Sequence, residues 1–275
     1  MAFTKKEQSL LKDMQNEEKL CAEMCIRDSL LSFAAPGCRR KEFCLMMKNY
    51  RETDPEFIER FEHFAFDEAV NEPGQGLEPI TRHMAILAAL LGCQGIDAFR
   101  EELPCALDAG VTPVMVKEIV YQAVDYLGIG RVLPFLKATN EILTQRGVSL
   151  PLAGQATTTM ENRLEKGAQT QADIFGPHML EAWKSGHINR WLAANCFGDY
   201  YTRTGLTLAQ REMITFCFLA AQGGCEPQLI GHAKGNMNLG NGKAFLIRVV
   251  SQCLPYIGYP RSLNAITCVN KAAEE

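Results

Sequence analysis

The residues best equipped for chemistry fall mostly between Gly205 and Arg261. His232 is the foremost of them, since an imidazole titrates near neutrality and can take and give a proton within one reaction cycle. Gln228 stands one helical turn earlier, where its amide can face the ring and fix a tautomer. Cys225 lies two turns before His232 on roughly the same face, just after Gly223 and Gly224 at a helix start. Free amides at such a start, and a nearby imidazolium, lower a thiol pKa, whereas Glu226 beside it pushes the other way. Cys225 is therefore a nucleophile or redox candidate, with an inert cysteine as the alternative. Arg211 and Arg203 carry the guanidinium fork that suits a substrate carboxylate; ion pairs with Glu212 or Asp199 are their other use. Tyr256 and Tyr259 border the apolar pocket expected between helices, where Tyr256 would orient a substrate or simply pack.

The elements that must position these groups can be read from the same stretch. An apolar helix over about 208–222 ends at a Gly-Gly break, a second helix starts at Pro227 and carries His232, and a third runs from Lys243 to the segment PYIGYP. Phe245, Val249 and Cys253 form an i, i+4, i+8 stripe on the third. The pattern occurs twice. GLEPITRHMAILAALLGCQG at 76–95 lies over GLTLAQREMITFCFLAAQGG at 205–224, matching Gly76 to Gly205, Arg82 to Arg211 and Gly95 to Gly224. QAVDYLGIGR at 122–131 lies over QCLPYIGYPR at 252–261, one residue out of that phase.

These residues resemble the carboxymuconolactone decarboxylase family, which includes the alkylhydroperoxidase-D-like proteins. The likeness rests on Gly-Leu and Arg before an apolar helix, Gln228 four residues before His232, a Gly turn, and Gln-x-x-x-Tyr-x-Gly-x-Pro. It covers roughly 57–146 and 160–272 and is strongest at FGDYYTRTGL, HAKGNMNLGNGK and PYIGYPR. The resemblance implies an all-α fold of two tandem units packed as a pseudo-dimer, assembled into a homo-oligomer, a trimer of tandem chains. The sequence departs from the family pattern in three places. Gln228 stands where a Glu is frequent, neither unit has the Cys-x-x-Cys pair of the peroxidase branch, and Cys105 is read at the first-unit position of His232, which leaves that unit degenerate and structural. Glu118 and its counterpart Arg248 are read as an ion pair across the pseudo-twofold.

Composition narrows the function. The chain has 275 residues, 47% of them hydrophobic, enough for two domains with a core each. Lys and Arg number 28 against 32 Asp and Glu, for a net charge of -4, and no basic block tracks a phosphate backbone, so nucleic acid is not an expected partner. The longest uncharged runs, 83–96 and 147–160, are shorter than a bilayer span, and no signal core opens the chain, so no membrane partner is expected and the cytoplasm is the expected location. Eleven cysteines are scattered, mostly within apolar helices, which suits buried reduced thiols. Cys21 and Cys25 lack a matching pair, and His178 and His187 stand alone, so no metal and no cofactor are expected.

Three regions follow: 1–50, an N-terminal helix and irregular leader; 51–147, the first unit; and 160–275, the second, joined by the Pro- and Gly-punctuated 146–159. The pattern over 3–23 predicts a charged helix resembling the opening of ferritin-like spore coat proteins, and MCIRDS resembles a translated sequencing adapter. Residues 1–47 are thus expected to be a foreign leader, with a genuine variable helix as the alternative. Phe57, Phe61 and Phe64 are expected in the core, as are Trp183 and Trp191. Thr112 and Pro113 open a helix that reaches Leu127. The functional readings are a decarboxylase-like lyase using His232 on a small lactone or acid, a thiol peroxidase or disulfide reductase using Cys225, and a non-catalytic binding member.

Overall fold

Among residues 50–274, which the computed structural model describes, every regular element is helical. The readings for the leader fall on residues outside this range. The first repeat contains α1 (Pro55–Glu62), continued by a π-helical turn at His63–Glu68, then α2 (Pro79–Gly92), α3 (Ile96–Asp108), α4 (Pro113–Leu127) and α5 (Ile129–Gln145). The second contains α6 (Arg163–Phe175), a 3₁₀ segment Pro177–Ser185, α7 (His187–Trp191), a π-helix Leu192–Tyr201, and α8 (Leu208–Gln222), α9 (Glu226–Asn238), α10 (Lys243–Ile257) and α11 (Tyr259–Glu274).

Local chemistry explains where the key helices begin. Thr112 caps α4 by accepting from the amide of Met115 at 3.2 Å, with Pro113 in the first turn, as the sequence predicts. At α8, Thr207 accepts from the amide of Gln210 while Gln210 Oε1 accepts from the amide of Thr207 at 3.0 Å, a reciprocal capping box that fixes the start of the helix carrying Arg211 and Glu212. One helix escaped the sequence reading: PYIGYP was taken as a stop, but Gly258 only breaks the helix and α11 starts at once.

Helices α2 and α8 lie at the centre, buried without interruption over Arg82–Gly92 and Arg211–Ala221. A helix apolar all round needs neighbours on every side, and here each repeat supplies them to the other. Gly92 marks the closest approach, since a Cβ there would stand 2.6 Å from the carbonyl oxygen of Phe218. The two repeats consequently share one continuous core, instead of a core each. Within it, Ala89, Phe216, Cys217 and Val250 help to line an apolar void of about 10 Å³, and neither Tyr256 nor Tyr259 borders it.

Two aromatic expectations are corrected. Phe57 is 67% exposed, because Ile58, about 100° around the helix, is the residue that faces the core. Trp191 is exposed as well and packs edge-on against His187 with ring centroids 5.0 Å apart. The connection between repeats is tied to the second one: the hydroxyls of Thr157 and Thr158 donate to the carbonyls of Thr202 and Gly198, at 2.8 and 2.9 Å.

Candidate active site

The centre of the site is a hydrogen bond between two helices of the second repeat. Glu212, on α8 and wholly buried, places Oε2 2.8 Å from Nδ1 of His232 on α9, whose side chain is 13% exposed. Its other oxygen accepts from the hydroxyl of Tyr201 at 2.7 Å. A buried carboxylate with both oxygens engaged meets the requirement that desolvated acceptors be paired. With Nδ1 held as the donor to Glu212, Nε2 is the nitrogen left for a substrate. Gly235, one turn after His232, allows the approach, since a Cβ there would stand 2.9 Å from Glu212 Oε2 and 2.7 Å from the ring of Phe175.

Both repeats build the surroundings. The His232 ring lies edge-on to Phe175 of α6 and to Tyr126 of α4, with centroids 5.4 and 5.5 Å away. Tyr126 belongs to the first repeat and shares a 2.8 Å hydrogen bond with Tyr201. Thr215, 2.7 Å from the Tyr201 hydroxyl, accepts from the Gln122 amide at 2.9 Å, so its own proton points to Tyr201. Because Tyr201 gives its single proton to Glu212, Tyr126 must donate to Tyr201. Cys196 Sγ in turn donates to Tyr126 across 3.6 Å. The result is a directed chain, Cys196 to Tyr126 to Tyr201 to Glu212, ending at the imidazole. Cys196 and Tyr201 sit on the π-helix, an element that recurs at functional sites.

Asp125 stands at the far end of this chain, beside Cys196, with Oδ2 buried and without a hydrogen-bond partner. Burial pushes its carboxyl up to about 7; the Cys196 thiol opposes that shift and repulsion from Asp199 adds to it. Burial also pushes Tyr126, Tyr201 and Cys196 well above their ordinary values, so all three remain neutral donors at pH 7.

The residues singled out from the sequence are not all brought together. His232 is at the centre, but Gln228 is exposed and Glu212 is the ring's partner, because a turn earlier on α9 faces solvent and not α8. Cys225 is the N-cap of α9, about 10 Å along the axis from His232. Its thiol points to the carbonyl of Leu219 at 3.5 Å and accepts from Gln222 at 3.6 Å. Burial raises its pKa, Gln222 works against the rise and Glu226 adds to it, the reverse of an activated thiol. Arg211 is wholly buried and Arg203 mostly so. Arg211 Nη2 donates to Glu118 Oε2 at 2.9 Å and Arg203 Nη2 to Oε1 at 2.8 Å, so both arginines pair with Glu118 in place of Glu212 or Asp199, which also corrects the expected Glu118–Arg248 pair. Tyr256 lies on the other side of the pseudo-twofold, with its hydroxyl buried. Among the described residues no group of three His, Cys, Asp or Glu side chains could hold a metal ion.

The first repeat holds the same kind of pair in reverse. His83 on α2 places Nδ1 2.6 Å from Oε1 of Glu102 on α3, and the two are 2% and 3% exposed. Helix α3 lies over α9 with Ile96 at Glu226, so Glu102, not Cys105, matches His232, and Cys105 matches Gly235. Cys225 is the extra residue that shifts the phase. Glu212 was legible from the repeat itself, since His83 lies over it directly. Tyr126, Tyr201, Cys196 and Asp125 were not, since they arrive from other helices.

The sequence matches the profile of the carboxymuconolactone decarboxylase family over residues 55–141 and again over 187–271. No curated protein matches the chain. The two matched segments cover more than half of the chain and coincide with the two repeats, so this protein belongs to the carboxymuconolactone decarboxylase family.

Proposed function

We propose that the protein is an acid-base enzyme that transfers a proton on a small lactone or related carboxylic acid, a lyase of the decarboxylating type, with His232 as the transferring group. The observation that carries this reading is the buried Glu212 carboxylate holding Nδ1 of a ring that remains partly open to solvent. Glu212 is a positioning residue: it fixes the tautomer and the orientation of the ring. In the proposed step the bond to the substrate carboxylate breaks, carbon dioxide leaves, and the electron pair stays on the substrate carbon. His232 delivers the Nε2 proton there and regains one from water. The edges of Tyr126 and Phe175 keep the surroundings apolar, where such a charge counts for more than in water.

A thiol reaction at Cys225 has less support, since the thiol is raised in pKa, turned toward a backbone carbonyl and without a second cysteine at 228. Arg203 and Arg211 have no substrate role in this proposal. The proposed setting is the cytoplasm. Two variants test the reading by lactone decarboxylation and by peroxide-dependent thiol consumption across pH. His232→Ala should lose about 10²- to 10⁴-fold in decarboxylation, and Cys225→Ser should keep most of it. Loss of peroxide turnover in Cys225→Ser would favour the thiol enzyme instead, and wild-type behaviour of both variants in both assays would leave a binding protein.

A further inference from the structure

The pseudo-twofold pairs α2 with α8 and α4 with α10, so each side of the shared core presents an arginine to a helix of the opposite repeat. On one side Arg211 meets Glu118 and Gln122 of α4, its Nη1 donating to Gln122 Oε1 at 2.8 Å. On the other, Arg82 of α2 meets α10, its Nε donating to Gln252 Oε1 at 2.8 Å. The glutamine is preserved, but the acid is not: the residue one turn before Gln252, matching Glu118, is Arg248.

Arg82 is 2% exposed, and its Nη2 has no hydrogen-bond partner. Neither does the buried Nε of Arg248. The buried hydroxyl of Tyr256, one turn after Gln252, faces the Arg82 guanidinium. Among the described residues no carboxylate pairs with Arg82 or Arg248. Glu102 also lies toward Tyr256, but it is already bonded to His83. A buried guanidinium without a counter-charge is a costly arrangement. Both guanidinium groups lack the acid that Glu118 supplies in the equivalent place.

We propose that the polar contact between α2 and α10 binds a small carboxylate, which takes the role that Glu118 fills across the pseudo-twofold. Arg82 and Arg248 supply the charge and N–H donors, and Tyr256 supplies a hydroxyl donor. A planar carboxylate suits a guanidinium fork. The site is separate from His232 and does not depend on the reaction proposed there.

The test uses the full chain, dialysed into chloride at pH 7 and melted against acetate, malonate and inorganic phosphate at constant ionic strength. The carboxylates should raise Tm saturably, and more than phosphate does. Arg248→Glu, which restores the acid, should melt above wild type in chloride and no longer respond to acetate or malonate. Tyr256→Phe keeps the ring and should respond with half-saturation about three- to tenfold weaker. His232→Ala should respond like wild type, which separates this site from the proposed active site. A wild-type Tm that does not change with either carboxylate, or a response that persists undiminished in Arg248→Glu, would overturn the proposal; a larger response to phosphate than to carboxylates would overturn the ligand class.

Discussion

Asp125 holds a proton that an ordinary aspartate would have lost by pH 5. Its carboxyl is raised to about 7, above the usual unfolded value of about 3.9, so between those limits the folded chain binds more protons than the unfolded one. Stability from this group is thus greatest below pH 4, declines as pH rises to about 7, and is flat above that. Asp125→Asn removes the titration and keeps the shape. Denaturant unfolding should show the variant gaining on wild type through this window, by a few kcal/mol at pH 8 on the order expected for such a shift. A pH profile parallel to wild type would contradict the assignment. The lesson for sequence reading is also at this scale. His232 was legible because imidazole chemistry is intrinsic to the residue. Its partner was misplaced because a tautomer is set by whatever packs on the ring, and Glu212 comes from another helix while Gln228 only shares the same one.

Among the elements, α4 and α8 are joined by the strongest polar contact between repeats, with Glu118 accepting from Arg203 and Arg211 while Gln122 Nε2 donates to the backbone carbonyl of Arg211 at 3.0 Å. Replacing the acid with an isosteric amide leaves two guanidinium groups without their counter-charge. Glu118→Gln should cost about 3–5 kcal/mol, measured as a fall in the urea midpoint with an unchanged slope; a loss under 1 kcal/mol would show that the clamp is dispensable. The start of α4 was readable from the sequence, because Thr112 and Pro113 act locally. The π-helix at Leu192–Tyr201 was not, since an i+5 bond leaves no mark in residue type, and with it went Cys196 and Tyr201. The repeat was readable together with its one-residue change of phase, which Cys225 introduces, yet Cys105 was set at the position of His232, three residues away from Glu102.

The whole molecule repeats its outer surface as well as its core. Ile129 and Leu133 on α5 are exposed, and so are their matches Tyr259 and Leu263 on α11, a pair of apolar steps presented twice. We propose that these faces join copies of the chain, as a trimer of tandem chains. Light scattering at micromolar concentration should give a homo-oligomer, reduced to monomer by Leu133→Arg combined with Leu263→Arg; a monomeric wild type would count against it. The repeat was foreseen, but a merged core was not, since apolar spacing says that a helix is covered without saying by which half of the chain.

The reversal of acid and imidazole between the repeats has a kinetic consequence. His232 rides on α9 and keeps 13% of its side chain exposed, whereas His83 makes the corresponding bond from the central helix α2 with 2% exposed. A small imidazole-modifying reagent should therefore reach His232 in the folded protein and reach His83 only when the core opens, which is a rare event.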